Sequence, residues 1–207
     1  QRTEQINLIH QNLLDDLEYA RDIQRAMLPK SLPNTAVAAF ESCYFPAERV
    51  SGDFYNVFRI DETKIGLYIG DVSGHGVSAA MLTVFLNQSI QSKKENQNCR
   101  KETLLPSDVL KNIYLDFNRT DFKSEVYIVM LYGILDLETK EFTFASAGLN
   151  VPPLVVDSSG KVTELNIKGF PICKLPNNYD VAYQNSTIQL GKGDKVLFYT
   201  DGLIEAA

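Results

Sequence analysis

The sequence predicts a layered α+β domain, two antiparallel sheets covered by helices. Three observations predict it: about nine short apolar runs read as strands, two buried-helix patterns lie among them, and the separators between the later runs carry turn chemistry. With 207 residues, 44% hydrophobic and 22% charged, the chain can bury one sizeable core and fits one domain or slightly more.

The elements follow in order. Residues 5–27 contain no Gly or Pro, and Ile6, Ile9, Leu13, Leu17, Ala20, Ile23 and Met27 recur mostly three or four apart, which predicts an amphipathic helix ended before Pro29. It reads either as a helix packed on its own domain or as a coiled-coil-like linker bringing a signal from an upstream sensor or receiver module. The division expected is a linker helix over 1–29 and a domain over 30–207. Apolar runs at 37–44, 54–60 and 65–69 predict the first strands. Residues 76–91 and 106–117 predict helices, the second capped by Ser107 or a neighbour, with a polar loop over 92–103 between them. Strands return at 126–135, 141–147, 154–156, 162–165, 187–190 and 195–200, separated by turns such as 157–160 and 191–194.

Composition excludes several classes. The net charge is −6, and Lys and Arg are scattered, which argues against nucleic acid. Three widely spaced cysteines, Cys43, Cys99 and Cys173, suggest neither a disulfide framework nor a zinc knuckle, so a reducing cytoplasm is the default. No apolar run approaches the roughly 20 residues of a membrane span. The chain opens on Gln1 and stops just after an apolar strand pattern, and so reads as a fragment of a longer protein.

The chemistry gathers on three aspartates. A hairpin turning through Asp61 and Glu62 sets Asp53, before one strand, roughly opposite Asp71, after the next. Both stand among glycines, and a later apolar strand delivers Asp201 into Asp201-Gly202. Oxygen ligands of this kind suit Mg²⁺ or Mn²⁺ rather than zinc, and two such ions can activate a water toward a phosphate ester. Taken singly, an Asp beside Gly at a strand end is ordinarily a solvated turn residue. His75, in the glycine loop, reads as a phosphate contact, a proton donor or a purely structural residue. His10 reads as solvated. Ser73 lacks the Gly two residues before it that a nucleophile elbow needs, and no phosphate-cradling glycine motif occurs.

In order along the chain, segments 20–29, 51–55, 70–76 (Gly-Asp-Val-Ser-Gly-His-Gly), 131–136, 145–148 and 198–206 resemble the SpoIIE/RsbU branch of the metal-dependent PPM protein phosphatases. The resemblance implies an αββα sandwich holding two Mn²⁺ or Mg²⁺ ions. It implies Asp53 and Asp71 as the first two metal acids, Asp71 bridging, with the Val72 carbonyl as a backbone ligand and Asp201 as the third acid. The wider group offers Arg49 as a phosphate clamp. The implied substrate is a phosphoserine or phosphothreonine on an anti-sigma-factor antagonist in partner-switching control of transcription.

Departures are visible. A further metal Asp of the family would lie past residue 207, with Asp121 or Asp180 as conceivable replacements; Leu149 and Val129 stand where many relatives have His and Thr. A binding or sensing module without hydrolysis is the competing expectation. The apolar stripe of the first helix predicts a homodimer joined through it.

Overall fold

The computed structural model describes residues 2–46, 49–90, 93–95, 101–175 and 179–205. Asp61 nucleates the first hairpin: its Oδ1 accepts the backbone N–H groups of Thr63 and Lys64, each at 2.9 Å, turning β1 (Phe54–Arg59) into β2 (Lys64–Val72). Helix α2 (Val77–Ser89) follows, then a short hairpin of β3 (Lys93–Glu95) and β4 (Lys101–Thr103), and then helix α3 (Pro106–Arg119). Strands β5 (Tyr127–Asp136), β6 (Glu141–Ala147), β9 (Ile172–Cys173) and β10 (Ser186–Gln189) complete the main sheet, ordered β1-β2-β5-β6-β10 with β9 also on β5. A second sheet is ordered β11-β7-β8, from β7 (Leu154–Val156), β8 (Val162–Glu164) and β11 (Lys195–Leu197). All ladder pairs between these strands are antiparallel.

Period-two alternation divides the core between the two faces of the main sheet. Tyr68 and Val72 of β2 and Ile128, Met130 and Tyr132 of β5 pack against Leu82 and Leu86 of α2 and Val109, Leu110, Ile113 and Phe117 of α3. Ile65, Leu67, Leu131 and Leu135 point the other way, joining Phe142, Phe144, Leu149 and Leu165 under Val155 and Val196 of the second sheet. The layers are helices, main sheet, second sheet. Lys174 closes the C-terminus of α3 by donating to the Asn118 and Thr120 carbonyls.

Helix α1 (Arg2–Met27) begins earlier than the sequence predicts and reaches the domain by its last turns. Its only buried residue is Gln24, while Ile6, Ile9 and Leu13 are 59%, 67% and 57% exposed.

Four expectations need correction. Residues 37–44 form no strand, because the Thr35 hydroxyl accepts the N–H groups of Val37 and Ala38 and Asn34 Oδ1 takes that of Phe40, so local bonds replace a ladder. The run 195–200 is strand only to Leu197. Beyond the Leu197–Leu154 pair the partner strand offers Pro153 and Pro152, which have no N–H to donate. The stretch 92–103 is not all loop, since β3 and β4 pair within it; residues 91–92 and 96–100 lie outside the described residues. Ser107 does not cap α3 with its side chain. Leu105 holds the cap position, and Asn185 Oδ1 accepts the Ser107 N–H at 2.9 Å while its amide donates to the Ser107 hydroxyl.

Candidate active site

The hairpin register pairs Phe54 with Gly70, so the next residues outward are Asp53 and Asp71. Asp71 lies inside β2 rather than past it, because β5 continues the ladder to Val129 and Ile128 opposite Asp71 and Val72. The pairing runs on beyond β1, since Val72 N–H donates to the Gly52 carbonyl at 3.1 Å. That approach leaves no room at residue 52: a Cβ there would lie 2.6 Å from the Val72 carbonyl oxygen and 2.7 Å from Asp71 Oδ1. Glycine is therefore what lets the Asp53 loop close over Asp71 and the Val72 carbonyl.

Asp201 arrives from the second sheet. It starts the single-turn helix α4 (Gly202–Glu205), its carbonyl accepting the Ile204 and Glu205 N–H groups, and a Cβ at Gly202 would sit 3.8 Å from Asp53 Oδ2. Three carboxylates from distant parts of the chain thus lie near enough to feel one another's charge where the two sheets end. Burial first, then the charges of Asp53 and Asp201, with Glu205 adding a smaller share, push the Asp71 carboxyl up to about 7. Burial, followed by the Asp201 charge, also raises Asp53, against hydrogen bonds from Thr200 and Ser51 that pull it down.

The donor set is oxygen alone, with crowded negative charge and a carbonyl beside it, which fits a hard divalent cation. Among the described residues no three His, Cys, Asp or Glu side chains stand close enough to hold a metal ion, so the acids converge without closing into a finished cage.

The other candidates are placed differently. His75 is exposed in the loop between β2 and α2, flanked by Gly74 and Gly76 at φ 93° and 74°. Arg49 is engaged by helix α1, its Nη1 lying 2.7 Å from Glu18 Oε1. Asp180 is ion-paired to Lys111 of α3, and Asp121 lies just past the end of that helix. Leu149, where many relatives have His, is buried in the core between the sheets.

Sequence reasoning missed four polar supports. Gln24 is 5% exposed, and its amide pairs with both backbone groups of Ser51, donating to the carbonyl at 2.6 Å and accepting the N–H at 3.1 Å. It also donates to Thr83 Oγ1 in α2 at 3.2 Å, so one side chain ties α1, α2 and the Asp53 loop together. Ser51 Oγ accepts the Asp53 N–H at 3.1 Å, the Thr200 hydroxyl favours the ionised Asp53 carboxylate, and Asn150 donates to Asp201 Oδ2 at 2.8 Å. Only Ser51 and Thr200 carried a signal, each lying within two residues of a candidate acid.

The family described as Stage II sporulation protein E (SpoIIE) matches residues 61–207. The phosphoserine phosphatase RsbP of Bacillus subtilis is 29% identical over 197 residues, covering 94% of this chain and 46% of the relative. RsbU of the same organism is 27% identical over 200 residues, covering 95% and 56%. The chain thus spans about half the length of these curated relatives. Among solved structures, the SiaA-PP2C domain of Pseudomonas aeruginosa superimposes with a TM-score of 0.68 at 22% identity, covering 91% of this chain and 71% of that one.

Proposed function

The chain belongs to the SpoIIE family, and on that premise we propose that it is the catalytic domain of a metal-dependent protein serine/threonine phosphatase of the PPM type. The observation that carries this reading is the convergence of Asp53, Asp71 and Asp201 at the common end of two sheets, with the Val72 carbonyl beside them. Asp53, Asp71, Val72 and Asp201 would hold two Mn²⁺ or Mg²⁺ ions. When bound, such ions supply Lewis acidity and an activated water for attack on phosphorus. The chain's own residues fix the geometry. Gly52 permits the close approach, Ser51 and Thr200 orient Asp53, and the β2–β5 ladder holds Asp71 rigid. Arg49 and His75 are the residues proposed to meet the phosphate, Arg49 once Glu18 releases it.

The substrate proposed is a phosphoserine or phosphothreonine on an anti-sigma-factor antagonist. Support comes from relatives named as phosphoserine phosphatases. Among the described residues no helix is long and apolar enough to cross a membrane; a cytoplasmic setting is proposed with the partner-switching role. Phosphate release from a phosphoserine protein, measured with Mn²⁺ and again with chelator, tests the activity. Turnover that survives chelation would overturn it. A regulatory module that binds without turnover is the second reading, favoured by the absence of three coordinating side chains among the described residues, and the same assay separates the two.

The exposed stripe of α1 supports a homodimer joined through that helix, with an upstream module acting through it. Leu13→Glu with Leu17→Glu is expected to give monomers by light scattering. Persistent dimers would reduce the helix to part of the domain.

A further inference from the structure

Asn150 has no assigned role, yet the fold aims it at the site. Three constraints hold its loop. Met130 and Gly148 form a parallel bridge, Gly148 takes φ 69°, and the hydroxyl of Ser146, itself 3% exposed, accepts the Leu149 N–H at 3.1 Å. A Cβ on Gly148 would also lie 2.8 Å from the Pro171 ring, so the backbone that leads to Asn150 is packed against Pro171. Leu149 and Val151 are 6% and 5% exposed. With both neighbours drawn into the protein, the side chain between them turns outward, to where Asp201 leaves the second sheet.

Its amide nitrogen stands 2.8 Å from Asp201 Oδ2. An ionised carboxylate only accepts, so the atom facing it must be the –NH₂ end of the amide. Burial of both flanking residues and the direction of this one bond are independent observations, and they agree.

We propose that Asn150 is a positioning residue for Asp201. By holding Oδ2 in a hydrogen bond, it fixes the carboxylate rotamer, leaves Oδ1 as the oxygen presented to a divalent cation, and sets the denticity and direction of that ligand. The proposal rests on the reading of Asp201 as a metal acid. Asp71 needs no such partner because its strand is clamped on both sides; Asp201 sits where the Lys195–Leu197 ladder has already ended.

The test is Mn²⁺ binding by electron paramagnetic resonance in the full chain, with melting of the metal-free protein alongside. Asn150→Ala is expected to weaken Mn²⁺ binding about tenfold, the size of effect usual for an outer partner of a metal ligand, with metal-free melting unchanged. Asn150→Leu has a similar size and cannot donate, and is expected to bind Mn²⁺ no better than Asn150→Ala. Asn150→Gln, which keeps the amide, should recover part of the loss. Parent-like Mn²⁺ affinity in Asn150→Ala or Asn150→Leu, or a loss matched by lower metal-free melting, would overturn the positioning role while leaving Asp201 as a ligand. A parent whose Mn²⁺ binding is unaffected by Asp201→Asn would overturn the metal reading itself, and this proposal with it.

Discussion

The two sheets meet at one site but present their acids in different ways. Asp71 lies within a nine-residue strand paired along its length with β5 and backed by α2 and α3. Asp201 lies four residues past the end of a three-residue strand, in a sheet whose β8 is exposed throughout. One acid is held by ladder hydrogen bonds and core packing, the other by a turn and side-chain bonds from a neighbouring loop. The main sheet holds its half of the candidate site by a continuous ladder, and the second sheet holds its half by a turn and a side-chain bond. Substitutions near Asp71 should therefore act on folding and chemistry together, and those near Asp201 on chemistry with little effect on folding.

Asp71→Asn is expected to have the largest effect, lowering phosphate release on the order of a thousandfold, as removal of a central electrostatic group does. Its effect on stability runs the other way. The native carboxyl keeps its proton up to about 7 whereas an unfolded Asp loses it near its ordinary value of 3.8. Between these values the native state binds more protons, so this contribution to stability is present at low pH and lost as pH rises toward 7. The metal-free parent should melt higher at about pH 5 than at about pH 8, and Asp71→Asn should flatten that slope. An unchanged slope in the variant would place the titration elsewhere.

A pair of glycines sharpens the contrast. At Gly70 a Cβ would meet the Val129 carbonyl oxygen at 2.5 Å and Met130 Cβ at 2.6 Å, both fixed in the neighbouring strand. Gly70→Ala should cost about 3 kcal/mol in chemical denaturation. At Gly202 the contacts begin at 3.8 Å and the backbone is helical, so Gly202→Ala should change stability by no more than about 0.5 kcal/mol. Equal costs would abolish the distinction between the two halves.

Gln24→Ala removes the partner of both Ser51 backbone groups and of Thr83, and should destabilise by about 2 kcal/mol. Arg49→Ala comes last. Its ion pair with Glu18 is largely exposed, so the change in stability should stay below about 1 kcal/mol. A rise in KM for the phosphorylated substrate, with stability unmoved, would assign Arg49 to the site rather than to helix α1.

Much of this was legible because it is local. Two apolar runs joined by a turn at Asp61 and Glu62 marked the β1–β2 hairpin, and antiparallel pairing about Asp61 is enough to bring Asp53 and Asp71 together. The turn at 157–160 was equally plain, since Asp157 Oδ1 takes the N–H groups of Ser159 and Lys161 within five residues. Apolar character alone was less dependable. It marked 37–44 as a strand although the Asn34 and Thr35 side chains had already claimed those N–H groups, and it carried 195–200 past the point where Pro153 stops the ladder.

The sequence by itself determined the layered α+β class and the first hairpin and marked three candidate acids, because backbone pairing and side-chain periodicity act over a few residues. Tertiary structure alone decided that Asp201 joins the other two, that Asn150 turns toward it between buried neighbours, and that Gln24 belongs to the Asp53 loop. Those contacts span 51 residues for Asn150 and Asp201 and 27 for Gln24 and Ser51. They form only when two sheets close on a shared core, since a carboxylate or an amide carries no mark of the partner that burial will bring to it.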